Sequence, residues 1–337
     1  MRRSYRKNLV RLFAVLSCFG TEASLAASCG ALISALQDDR VSDAKAAIRA
    51  GCDPDSRLDG SGATPLMWAR SRAMGEALLA AGASPDKRDD SGNNALLGAA
   101  ARADIGYMRL LIAAGARADT AGHRTCGPLC EAVFKGPLAP DLIRELVGAG
   151  ASIETTDCWG RTALFMSAGA GAVDAARSAL SFKANPNRYE TYGGNTLLMQ
   201  AAVNGHVPTV DTLLRAGADP NWPNSRTCQL PLHIAAPKGN LSLVRRLVEA
   251  GSSLSDADSK GKTPLDLARV AGKQEVVTYL EQAGAKSSTS TRTACVDEID
   301  TPQAWAAWQS ARKVTRAPNC QSAVEPTLNA PTGGRGR

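Results

Sequence analysis

Nine cysteines and three histidines are the side chains of this 337-residue sequence with the most capacity for nucleophilic, redox or metal chemistry. Their spacing argues against the familiar forms of it. No Cys-x-x-Cys pair exists for thiol exchange, no His-Glu-x-x-His pair for zinc, and no Gly-x-Ser-x-Gly turn for a serine nucleophile. Gly169-Ala170-Gly171 is a Gly-x-Gly by string alone, since it falls between two helical segments and not after a strand. The expectation is a chain with no catalytic residue, no metal site and no cofactor.

The cysteines then read as structural, which asks for an oxidising compartment. The first residues supply the route. Arg2, Arg3, Arg6, Lys7 and Arg11 precede an apolar run over 12–20 and the small residues Ala23-Ser24-Leu25-Ala26-Ala27. This is the order of a bacterial-type signal peptide, expected over 1–27 with cleavage near Ala26 to Ser28. The run is too short to span a bilayer, so no membrane span is expected in the mature chain, which is placed in the periplasm or secreted. Removing the leader also removes Cys18 and leaves eight cysteines, an even number.

Residues 28–285 are organised by repetition. Around Thr196 to Asn221, Leu197, Leu198, Ala201 and Ala202 make one apolar helix face. Asn204-Gly205-His206 breaks it. Val207, Val210, Leu213 and Leu214 make a second face that ends at Gly217. Two such helices cannot bury a core alone, so copies must stack. Counting back from the closing glycines puts N-caps at Thr64, Asn94, Gly127, Thr162, Thr196, Leu230 and Thr263, after a weaker first copy that begins at Gly30. Repeat two is short by about three residues near Arg72 to Met74, and Lys183 stands in the closing glycine slot of repeat five.

The period of 30 to 35 residues and the segments Thr64-Pro65-Leu66-Met67-Trp68-Ala69, Leu230-Pro231-Leu232-His233-Ile234-Ala235 and Thr263-Pro264-Leu265-Asp266-Leu267-Ala268 resemble the ankyrin repeat. The resemblance implies an all-α solenoid of about eight stacked helix-turn-helix units with β-hairpin fingers and a concave surface that binds protein. It also places His233 where the side chain bonds backbone. Repeat geometry brings Cys29 and Cys52 together at neighbouring helix ends. Cys295 and Cys320 would close a loop in the tail. Cys126 can pair with Cys130, or one of the two with Cys158, which leaves Cys228 free unless the tail folds back to it.

Three successive fingers carry large aromatics beside arginine: Trp159, then Arg188, Tyr189 and Tyr192, then Trp222 and Arg226. These residue types are enriched in interface hot spots, so the six are the candidate partner-binding residues. Asp53, Asp55, Asp59, Asp86, Asp89 and Asp90 give the N-terminal fingers an acidic cast. The formal charge of +7 does not sit on the repeats: the leader carries five basic residues and one acidic, and the chain from Lys286 onward seven basic and four acidic. A near-neutral repeat region excludes a nucleic-acid stripe. Residues 286–337 read as a Ser/Thr-rich linker and a tail with a short helix near 302–314, whose Trp305 and Trp308 would cap the last repeat. The expected function is an exported, monomeric module that binds a protein. The alternative is a periplasmic redox accessory acting through Cys126, Cys130, Cys158 or Cys228.

Overall fold

A computed structural model describes residues 29–119 and 127–287. The expected leader, His123, Cys126, Cys295, Cys320 and the expected tail helix lie outside the described residues. Within them the chain is a run of helix pairs: α1 (29–37) and α2 (Val41–Arg49), α3 (Pro65–Trp68) and α4 (Arg72–Ala80), α5 (Ala95–Ala101) and α6 (Ile105–Ala113), α7 (Pro128–Val133) and α8 (Ala139–Gly148). The second half continues with α9 (Ala163–Ala170) and α10 (Val173–Ser181), α11 (Leu197–Val203) and α12 (Val207–Arg215), α13 (Pro231–Ala235) and α14 (Leu241–Glu249), α15 (Pro264–Val270) and α16 (Gln274–Gln282). Each pair is one of the eight repeats read from the sequence.

The seven N-caps expected from the spacing all hold that position. Where the side chain allows, it caps. The side-chain oxygens of Asn94, Thr162, Thr196 and Thr263 accept the backbone N–H three residues on, which satisfies an otherwise orphaned donor. Leu230 has no such oxygen, and His233 compensates from the other side: its Nδ1 accepts the Leu230 N–H at 3.0 Å. The other ring nitrogen lies 3.1 Å from the Lys262 carbonyl, so Nε2 carries the proton and donates. His233 thereby ties repeat seven to repeat eight. It is a structural histidine, as its slot implied.

Leucines and alanines facing inward from both helices of each pair form the core. A first cluster runs from Leu32 to Ala175 and a second from Leu164 to Ala285, and Ile153 packs against both, so the core is continuous along the stack. Burying apolar area against a neighbour is what stabilises each unit, at roughly 25 cal/mol per Å².

The fingers differ from expectation. Among the described residues no β-strand forms, and the bridge that joins two of them is antiparallel, Tyr189 to Thr196. The fingers are tight turns closed by a pair of backbone bonds, as in Asp89 N–H to Asn93 C=O at 2.9 Å with Gly92 N–H to Asp89 C=O at 3.0 Å, and Asp258 N–H to Lys262 C=O at 2.9 Å with Gly261 N–H to Asp258 C=O at 2.9 Å. The physical reason is that an acceptor side chain at the start of each turn takes the N–H groups a strand partner would otherwise satisfy. Asp89 accepts from Ser91 and Asn93, Asp157 from Trp159 and Arg161, Asn224 from Arg226 and Thr227, and Asp258 from Lys260 and Lys262. Successive fingers are then joined by backbone bonds, including Asp90 N–H to Ser61 C=O at 2.9 Å and Thr191 N–H to Trp159 C=O at 2.7 Å.

Candidate partner-binding surface

The six residues picked from the sequence do not form one stripe. Tyr192 is the exposed member, at 70 % of its free surface, and the Arg226 guanidinium of the next finger lies 5.6 Å from its ring centroid. This pair bridges the tips of the fingers of repeats six and seven. Tyr189 is a correction: it is 7 % exposed, so it is buried within the molecule, and its backbone is bridged to Thr196. Arg188 is likewise spent within the molecule, its side chain 15 % exposed and 2.6 Å from Glu154 on the preceding finger. Trp159 and Trp222 are half-buried. The Trp159 ring lies 4.5 Å under the Arg161 guanidinium, which is itself paired with the buried Asp157 at 2.7 Å.

The acidic cast of the first fingers is also largely consumed. Asp55 accepts the Ser84 N–H at 2.9 Å and Asp86 the Arg117 N–H at 2.7 Å, each reaching into the next repeat. Asp59 accepts from the hydroxyl and N–H of Ser61, and that hydroxyl bond holds its carboxyl below the usual range. Asp90 pairs with Arg57. These carboxylates are framework.

A different row is open. Phe134, Val203 and Val270 are exposed by 52, 37 and 82 %. Each stands seven residues after its N-cap, Gly127, Thr196 or Thr263, so the three share one register position at the ends of α7, α11 and α15. One turn earlier on the same helix face, Met166, Gln200, Ile234 and Leu267 are half-buried. The first helices therefore show a broken apolar row running along the stack. Sequence reasoning passed over it, although the signal was present: an amphipathic helix is expected to carry polar residues at its outward positions, and here it carries Phe134, Val203 and Val270.

The cysteines take a definite state. Cys29 and Cys52 form a disulfide with 5.1 Å between α-carbons, joining the start of α1 to the residue after α2. Cys130, Cys158 and Cys228 are disulfide-bonded too; of the two alternatives left open for Cys228, the free thiol is corrected. Among the described residues no group of three or more His, Cys, Asp or Glu is placed to hold a metal ion. No helix there is long and apolar enough to cross a membrane.

The family described as "Ankyrin repeats (3 copies)" matches residues 129–224, and the one described as "Ankyrin repeats (many copies)" matches residues 213–268. Among curated proteins, the chain is 33 % identical to Cyclin-dependent kinase inhibitor 2A of Homo sapiens over 154 residues, 46 % of this chain and 94 % of that protein. It is 36 % identical over 110 residues to Cyclin-dependent kinase 4 inhibitor B of Bos taurus, 33 % of this chain and 82 % of that protein. A match at 38 % identity to Diacylglycerol kinase iota of Mus musculus covers 91 residues, 26 % of this chain and 9 % of that protein. The helix pairs, the capped Thr-Pro-Leu starts, the bonded fingers and these matches have one reading: the chain belongs to the ankyrin repeat family.

Proposed function

We propose that the protein is an exported binding module that holds an extended or helical apolar segment of another protein against the first helices. The exposed row of Phe134, Val203 and Val270 carries this reading. Isolated exposed apolar residues are ordinary, but three at one register position along a solenoid present a line to a partner. Tyr192 over Arg226 supplies an aromatic and a cation at the rim, the types that dominate hot spots. The relatives named as kinase inhibitors support a scaffold that works by occupying another protein's surface. The partner is defined here by its chemistry and not by those names.

Export rests on the basic residues, apolar run and small-residue segment of 1–27, and disulfide-bonded cysteines support an oxidising compartment. The reactive-thiol alternative loses ground for the same reason, since Cys130, Cys158 and Cys228 are bonded. The test is a pull-down from periplasmic extract and culture medium, using the mature chain and a Phe134→Ser/Val203→Ser/Val270→Ser variant. A protein retained by the parent and lost by the variant, at equal melting temperature, is the expected result. Equal retention by both would remove the row as the interface. Intact mass of the native protein checks the leader, and a retained Met1 would end the export reading.

A further inference from the structure

The exposed apolar row lies among cations that the fold leaves uncompensated. Lys135 follows Phe134 directly, eight residues after the N-cap Gly127, and Lys238 holds the same register position after Leu230. Arg70 stands in the shortened turn between α3 and α4. Lys273 is the N-cap of α16, and its stem lies over the turn that carries Lys238, since a β-carbon added at Gly239 would meet its Cδ at 2.8 Å. Arg70 and Lys238 are exposed, Lys135 and Lys273 half-buried. Among the described residues none of the four is in an ion pair. Compensation is available elsewhere: on the second helices Arg109 pairs with Glu145, Arg144 with Asp141 and Arg246 with Asp211.

Few carboxylates offset these charges. From repeat two to repeat eight, the first helices and the turns after them carry six cations, Arg70, Arg102, Lys135, Lys238, Arg269 and Lys273, against three carboxylates, Asp104, Glu131 and Asp266. Asp104 accepts the Tyr107 N–H at 2.9 Å, and Asp266 accepts the N–H and the hydroxyl of Thr263 at 3.1 and 2.9 Å, so both are occupied as caps. Glu131, half-buried one turn before Phe134, is the third. Repeat one reverses the sign with Asp38 and Asp39, but it lies three repeats before Phe134, and Arg40 holds Asp38 at 3.0 Å.

An apolar segment laid on Phe134, Val203 and Val270 takes water away from Lys135 and Lys238 beside it. Partner carboxylates would offset that desolvation, and partner cations would add repulsion to it. Cations this sparse, spread over seven repeats around an apolar line, do not make the dense basic stripe that a nucleic acid needs.

We propose that the segment held on the row is an acidic amphipathic peptide stretch of another protein: its apolar side chains cover Phe134, Val203 and Val270, and its carboxylates face Lys135 and Lys238, with Arg70 and Lys273 extending the attraction toward either end. The proposal rests on the reading of the row as the interface and adds the charge of the partner to it.

The probe is a random peptide library displayed on phage and selected against the full chain. Recovered peptides should carry Asp or Glu beside their apolar residues. The commonest of them, labelled and followed by fluorescence anisotropy, should bind less tightly as salt rises from about 50 to about 500 mM. Exposed ion pairs are individually weak, so an Arg70→Gln/Lys135→Gln/Lys238→Gln variant should lose roughly tenfold in affinity at the lower salt. A Lys45→Gln/Arg49→Gln/Lys183→Gln variant, which removes the same net charge away from the row, should bind as the parent does. A neutral or basic consensus, an affinity indifferent to salt, or equal loss in the two charge variants would overturn the acidic assignment and leave the row standing. Undiminished binding of the acidic peptide by the Phe134→Ser/Val203→Ser/Val270→Ser variant would instead end the reading of the row, and recovery of no peptide would remove both. Vesicles of anionic phospholipid bound by the parent and not by the Arg70→Gln/Lys135→Gln/Lys238→Gln variant would assign the cations to a membrane surface and overturn the proposal.

Discussion

The hydroxyl of Tyr107, on α6 of repeat three, donates to the carbonyl of Leu66 on α3 of repeat two at 2.7 Å, with both residues buried. Repeat two is the copy that lost residues, and its first helix is reduced to Pro65–Trp68. Helix α3 ends before a residue four positions on can bond Leu66, so the carbonyl would be an orphan in the core. Tyr107 supplies the missing donor, and Gly75 makes room for the ring, since a β-carbon there would overlap its edge.

Tyr107→Phe should therefore cost about 1–3 kcal/mol, the penalty of a buried acceptor left unpaired, although it removes one atom. Gly75→Ala should cost as much or more through overlap. Urea unfolding of each variant checks both. A loss below half a kcal/mol in Tyr107→Phe would mean that the carbonyl finds another donor.

Lys183 is the one closing residue that is not glycine, and it adopts φ 62° where Gly217 and Gly251 have 87 and 88°. Lys183→Gly should raise stability by up to about 1 kcal/mol, partly offset by the freer unfolded chain. Gly217→Val should lower it by more than about 1 kcal/mol, although open space surrounds the site, because the strain is in the backbone. Paired thermal melts would test the two signs together.

Burial pushes the His233 imidazole below its ordinary pKa of 6.5, with Asp258 opposing in part. The unfolded chain therefore takes up this proton first as pH falls. The contribution to stability is complete above about pH 6.5 and is lost as pH drops from there through the lower folded value, at up to about 1.4 kcal/mol per unit. Unfolding free energy should fall between pH 7.5 and 5, above the carboxylate range. His233→Gln, which can still accept the Leu230 N–H, should flatten that slope. A slope unchanged by the substitution would assign it to other groups.

The repeats were legible because their signals are local. Thr162 and Thr196 cap their own helices, and Gly217 ends its own, so each could be placed from a few neighbours. The fate of Arg188 was not legible, since it depends on the adjoining finger: Arg188 is fixed by Glu154, 34 residues away. The finger aspartates misled for the same reason. Their charge is visible in the sequence, and the backbone N–H groups that occupy it are not. Tyr107 shows the limit most clearly, because a deletion in one repeat is filled by a side chain 41 residues away.

The rim and the row make separable predictions. Tyr192 is exposed and touches Arg226 alone among the ring contacts of its finger, so Tyr192→Ala should leave stability within about half a kcal/mol of the parent. Trp159→Ala should lower the melting temperature, because its half-buried ring supports Arg161 and through it the buried Asp157. Binding should divide differently. Phe134→Ala and Val270→Ala should each weaken a partner laid along the first helices, and a residue at the centre of such an interface costs ~2 kcal/mol or more when truncated. Tyr192→Ala should weaken the same partner less, as a rim residue. Titration of the captured protein against the four variants, with melts of each, reads both columns. If Tyr192→Ala abolished binding while Phe134→Ala and Val270→Ala left it intact, the fingers would be the interface and the row of the first helices an unused surface.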